Sequence, residues 1–132
     1  MKKIEVWGDS VLKGIIYDET QKKYLKLERD TVIIKLNQLG FDVKNNARFG
    51  MTAPKACNLM NKALKNGLDC EIAIIEFGGN DSDFKWREVA DSPEANHLPN
   101  TPLKEFKASI TEMVQSLRLN NIIPILVNLP PI

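Results

Sequence analysis

Residues 70–81 read Cys70-Glu71-Ile72-Ala73-Ile74-Ile75-Glu76-Phe77-Gly78-Gly79-Asn80-Asp81. The almost continuously apolar run from Cys70 to Phe77 is the pattern of a strand covered on both faces, hence a central strand of a parallel sheet. It ends on a polar, glycine-bearing turn. The same arrangement stands near the start of the chain, where Ile4-Glu5-Val6-Trp7, within a strand of about Lys3 to Gly8, runs into Gly8-Asp9-Ser10. Open α/β sheets bind ligands beyond the carboxyl ends of their strands. Two such turns are therefore expected to meet on one rim as a candidate active site.

Working outward, strands and helices alternate. A polar connection with Tyr17 and Tyr24 follows the first strand, then a helix of about Asp30 to Leu39 that stops at Gly40, a residue suited to the C-cap. Phe41-Asp42-Val43-Lys44-Asn45 alternates like a half-covered strand near an edge. Thr52 is placed to cap a helix of about Ala53 to Leu64, with Pro54 in its first turn and Gly67 past its end. The polar segment Ser82 to Asn100 carries Trp86 and His97. Thr101-Pro102 opens a third long helix whose Leu103, Phe106, Ile110, Met113, Val114 and Leu117 keep a helical stripe. Ile122 to Asn128 reads as a fourth strand, and Leu129-Pro130-Pro131-Ile132 closes the sequence. Alternating elements with apolar strands predict a parallel three-layer α/β/α sandwich. Right-handed crossovers make 2-1-3-4 its simplest strand order.

Composition narrows the function classes. The 132 residues are expected to form a single domain, 1–132, and 43% apolar with 27% charged residues is ordinary for a soluble globular fold. A formal net charge of +1 leaves no electrostatic footprint for nucleic acid, and the Lys2-Lys3 and Lys22-Lys23 pairs read as a solvated face. No stretch of 18 apolar residues is present, so no membrane span is expected. Met1-Lys2-Lys3 leads directly into the first strand, so a cytoplasmic location is the expectation. Cys57 and Cys70 lack motif spacing and are expected as buried free thiols. Two thiols and one histidine are too few for a zinc site, and no metal or cofactor is expected.

The turn residues point to acyl transfer, which needs a nucleophile, a base and donors where the oxyanion forms. Ser10 supplies a hydroxyl at the start of a short helical segment whose N–H groups favour negative charge. Asn80 offers an amide donor, and the glycines before it allow substrate close to the backbone. A third turn, Asn46 to Thr52, follows the second strand on the same rim, where Gly50 could present its N–H beside Ser10 and Asn80. One such donor is worth about 3–4 kcal/mol of transition-state stabilisation. Asp9 is expected to hold the serine turn by hydrogen bonds, Arg48 to make a surface ion pair, and His97 to be a solvated loop residue rather than the base. The 82–100 segment would form a wall or lid of the site.

These three blocks resemble those of the SGNH (GDSL-type) serine esterases and lipases. Gly8-Asp9-Ser10 matches the family's first block, Gly50 its second and Gly78-Gly79-Asn80-Asp81 its third, in order along the chain. Val11 stands where a leucine usually follows the serine. The resemblance implies a flavodoxin-like sandwich, Ser10 as nucleophile, and an oxyanion hole formed by the Ser10 N–H, the Gly50 N–H and the Asn80 side chain. It implies a small-molecule substrate, a carboxylic or carbohydrate acetyl ester. The family's catalytic aspartate and histidine lie three residues apart after a fifth strand, and no such block follows Ile132 in this sequence. The expectation is thus an incomplete domain with its fifth strand missing, exposing the fourth strand to self-association. A different class remains open beside it: a binding module that keeps the pocket without the base.

Overall fold

The structure is a computed structural model that describes residues 2–129; Met1 and the closing residues 130–132 of the sequence lie outside the described residues. Four parallel strands form the central sheet: β1 (Lys3–Gly8), β4 (Asp42–Asn45), β5 (Ile72–Glu76) and β6 (Ile123–Leu126), in the order β4-β1-β5-β6. This is the 2-1-3-4 order expected for the four strands read from the sequence. In the central ladder Ile4 faces Ile72 and Gly8 faces Glu76, so the two apolar strands end side by side.

Alternation along β1 sends side chains into two separate layers. On one face Trp7, Ala73 and Ile75 pack beneath α3 (Ala53–Lys65) and α6 (Leu103–Leu119), against Met60, Met113 and Leu117. On the other, Ile4, Val6 and Ile74 pack with Leu12 of α1 (Ser10–Lys13) and with Ile33 and Leu36 of α2 (Val32–Gln38). Helix α2 starts later than expected, because Asp30 is left-handed (φ 60°) and Thr31 caps the helix, its Oγ1 accepting from Ile34 N at 3.2 Å. It ends as anticipated at Gly40 (φ 90°), where Phe41 N donates back to the Leu36 carbonyl at 3.1 Å.

Other readings need correction. The connection after α1 is an antiparallel hairpin, β2 (Ile15–Asp18) with β3 (Lys23–Lys26), in which Tyr17 faces Tyr24. Its turn is built by Asp18 Oδ1, which accepts from Thr20 N and Gln21 N, and by left-handed Lys22. Gly78-Gly79-Asn80-Asp81 is not an open turn: a short helix, α4 (Gly79–Ser82), starts within it. The 82–100 segment contains α5 (Trp86–Asp91). The strand read as Cys70 to Phe77 pairs only over Ile72–Glu76, and Leu103 faces away from the apolar stripe of α6, 79% exposed. Edge strand β6 leaves Ile123 and Leu126 more than half exposed. Among the described residues no helix is long and apolar enough to cross a membrane.

Leu117 is fully buried between α6 and the sheet, whereas Leu119 on the same helix is 84% exposed. Urea denaturation should show Leu117→Ala losing about 2–5 kcal/mol through lost transfer energy and cavity formation. Leu119→Ala should stay within about 0.5 kcal/mol of the parent.

Candidate active site

Strand β1 ends at Gly8 because no other residue fits there. A Cβ would sit 2.9 Å from Leu12 Cβ and 3.1 Å from the Glu76 carbonyl oxygen. Only glycine lets α1 fold down over the strand end. Asp9, 2% exposed, caps that helix: its Oδ1 accepts from Val11 N at 2.9 Å. The expected role of Asp9 as the holder of the turn is what the geometry gives. Ser10 is the first helical residue, half-buried, and its own N–H is among those that intrahelical bonding leaves free. Gly14 (φ 88°) then turns the chain into β2.

The segment after β4 continues alongside β1, with Asn46 N donating to the Val6 carbonyl at 2.8 Å and Arg48 N to the Gly8 carbonyl at 3.0 Å. Arg48 is exposed and makes no ion pair among the described residues, contrary to expectation. Gly50 is left-handed (φ 72°), and no atom lies within 4 Å of where its Cβ would be. Its neighbour Phe49 puts its ring 5.9 Å from Tyr24, whose ring is 5.2 Å from Tyr17. Three exposed aromatic rings thus join the hairpin to the Gly50 loop.

The third block is bonded to the second and packs against the first. Asn80 Nδ2 donates to the Met51 carbonyl at 3.0 Å, next to Gly50. An amide carries two N–H donors, so this bond fixes the side chain and leaves one N–H for a ligand. Gly79 approaches the serine turn so closely that a Cβ on it would lie 3.3 Å from Asp9 Oδ2. Asp81, 2% exposed, accepts from Ala53 N through Oδ1 at 2.9 Å. That bond caps α3 in place of Thr52, whose side chain makes no capping bond. The 82–100 loop returns to its root, with Asn100 Nδ2 on the Asn80 carbonyl at 3.0 Å and Thr101 N on the Asp81 carbonyl at 2.9 Å.

Ser10, Gly50 and Asn80 therefore stand on three adjacent strand ends cross-linked to one another. His97 is not joined to them: its Nε2 meets the Ser92 carbonyl at 2.6 Å in the outer part of the 82–100 loop. Trp86, 62% exposed, donates to Asp83 Oδ1 at 2.7 Å and stacks at a tilt on Phe84. An apolar concavity of about 330 Å³ lies at the root of that loop, between Gly78, Phe84, Phe106 and Leu129. A larger one, about 490 Å³, lies at the opposite end of the sheet around Lys3, Asp42 and Asp69, away from all three blocks. Cys57 and Cys70 are free thiols, Cys57 buried as expected but Cys70 only half-buried; burial pushes Cys57 up to about 12 and Cys70 up to about 11, so both stay protonated.

Sequence reading missed Glu76. It is 2% exposed at the end of β5, and neither carboxyl oxygen has a hydrogen-bond partner that meets the geometry. Burial, and then the neighbouring Asp9 carboxylate, push it up to about 7.

No family model matches the chain, and no curated protein does. Solved structures do, and its structural neighbours are GDSL/SGNH esterases and lipases. A protein of Desulfitobacterium hafniense DCB-2 described as lipolytic and of the G-D-S-L family is 24% identical, with a TM-score of 0.61 over 96% of this chain and 58% of that one. The psychrotrophic esterase EstA of a Pseudoalteromonas species, in a structure inhibited by monoethylphosphonate, is 18% identical at TM-score 0.64, covering 99% and 62%. AlinE4, an SGNH-hydrolase family esterase, is 20% identical at TM-score 0.62, covering 98% and 61%. The chain has the fold of the SGNH hydrolases and spans about three-fifths of these proteins' length.

Asp81→Ala would leave the Ala53 N–H buried without an acceptor. The expected loss is about 1–3 kcal/mol in urea denaturation. Thr52→Ala, which removes no capping bond, should change stability much less.

Proposed function

We propose that this chain carries the nucleophile and oxyanion donors of a serine hydrolase of the SGNH family, acting on carboxylic or carbohydrate acetyl esters. Ser10 Oγ forms the bond to the acyl carbon and the carbonyl π electrons move to oxygen. The Ser10 N–H, the Gly50 N–H and Asn80 Nδ2 then bind that oxyanion, while a base takes the Oγ proton. The observation that carries this reading is the bond from Asn80 Nδ2 to the Met51 carbonyl, which ties the third block to the second beside the serine turn. The ester class comes from the structural neighbours, which are esterases and lipases. The exposed Tyr17, Tyr24 and Phe49 rings offer an apolar wall for the substrate's non-reacting part.

A second reading, a binding module that keeps the oxyanion donors without a base, is favoured by one observation. The sequence's single histidine is engaged with Ser92 in the 82–100 loop rather than with Ser10.

Labelling with a fluorophosphonate, with and without added imidazole as an external base, separates the two. In a chain that also carries the family's aspartate–histidine block, the hydrolase reading predicts unassisted labelling on Ser10, lost in Ser10→Ala and slowed about 100- to 1,000-fold in Asn80→Ala, the usual effect of one oxyanion donor. Labelling that still requires imidazole in that longer chain supports the binding module. Labelling at equal rates in the parent and Ser10→Ala sinks both.

A further inference from the structure

Asp9 and Glu76 form a pair of buried carboxyl groups directly beneath the serine turn. Gly8, without a side chain, faces Glu76 in the ladder, and the space a side chain would fill is taken by Leu12 and the Glu76 backbone carbonyl; Gly79, three residues after Glu76, is so close to Asp9 that a Cβ on it would lie 3.3 Å from Asp9 Oδ2. Each is 2% exposed, and they lie within hydrogen-bond reach of each other. The N–H groups of Asp9 and Leu12 point toward Glu76 without reaching hydrogen-bond geometry. Among the described residues no cation pairs with them. Lys13 in the last turn of α1 makes no ion pair with either acid among the described residues, β6 and Val127–Leu129 beyond it carry no charge, and α4 adds only another buried carboxylate, Asp81. Two carboxylates in contact, out of water and without a cation, cannot both hold a negative charge; one keeps a proton. Asp9 Oδ1 is engaged with Val11 N, whereas burial raises Glu76, so the proton belongs on Glu76.

We propose that Glu76 is a positioning residue of the serine turn: as the neutral acid it donates its O–H to the Asp9 carboxylate, and as the anion it repels Asp9 and loosens the turn that carries Ser10. On ionisation the proton passes to solvent, and Asp9 must then choose between its cap on Val11 and distance from Glu76. The consequence for activity rests on Ser10 being the nucleophile; the shared proton does not. A carboxyl raised from an ordinary 4.5 to about 7 stabilises the fold while protonated. That stability is fully present below the unfolded value and lost as pH rises through about 7.

The test follows two signals on the 132-residue chain across neutral pH: the infrared carbonyl band of a buried neutral carboxyl, and the NMR resonance of the Val11 N–H. The expected result is a carboxyl band that disappears near pH 7 in the parent, absent in Glu76→Gln, while the Val11 resonance moves with the same midpoint and stays fixed in Glu76→Gln. Glutamine keeps a donor to Asp9 and removes the titration. Should Glu76→Gln fail to fold, Asp9→Asn serves instead, and its amide donor should shift the carboxyl titration to lower pH. A parent without the carboxyl band overturns the proposal, as does a band that persists in Glu76→Gln. So does a Val11 resonance that ignores the titration, or an Asp9→Asn variant with an unshifted midpoint. Failure of the hydrolase reading would appear separately, as a Ser10 inert to fluorophosphonate at every pH in a chain that also carries the family's aspartate–histidine block, while both spectroscopic signals of the 132-residue chain behave as expected.

Discussion

Gly8 opposite Glu76 is the contact on which the site depends. Parallel pairing of β1 with β5 in that register brings the ends of both strands to one level, and the missing side chain at Gly8 lets Leu12 and the serine turn settle over the strand end. Shifting the register by one residue would exchange the faces of Val6 and Trp7, which belong to different core layers. The core therefore fixes the register, and the register fixes where Ser10 stands relative to Asn80. The β4 segment extends the same rim, through bonds from Asn46 and Arg48 to the last carbonyls of β1.

Three buried carboxyl groups lie under this rim, and each does something different. Asp9 caps α1 through Val11, Asp81 caps α3 through Ala53, and Glu76 has no donor of its own that meets hydrogen-bond geometry. Burying acids at the starts of α1 and α3 satisfies N–H groups there, at the cost of desolvating charge. A protein selected only for stability has little reason to keep such an arrangement; sites that handle charge commonly do.

Much of this was legible in the sequence. The central strands announce themselves because both faces are covered and each ends in a glycine turn, the first two long helices have glycine stop signals, and the third carries an apolar stripe. The rest depends on contacts between distant residues. Thr52 has the right side chain to cap α3, yet Asp81 takes that bond from another strand end, which no local pattern encodes. The β2–β3 hairpin lacks an Asn-Gly turn and is mostly exposed, and the edge-to-face ring contacts from Tyr17 through Tyr24 to Phe49 tie it to the rest of the fold. Glu76 looks in the sequence like a polar interruption of a strand. Only the arrival of Asp9 from β1 shows that its burial belongs to the site. Helices α4 and α5 are too short for any periodicity to reveal.

The central claim is that three strand-end turns form one oxyanion-binding site around Ser10. A crystal structure of the chain after reaction with a small phosphonate tests it most directly. The account predicts phosphorus bonded to Ser10 Oγ, with one phosphoryl oxygen at about 2.7–3.1 Å from the Ser10 N–H, the Gly50 N–H and Asn80 Nδ2 together. An adduct on Ser10 whose oxygens all face solvent, or one formed on another residue, would contradict it.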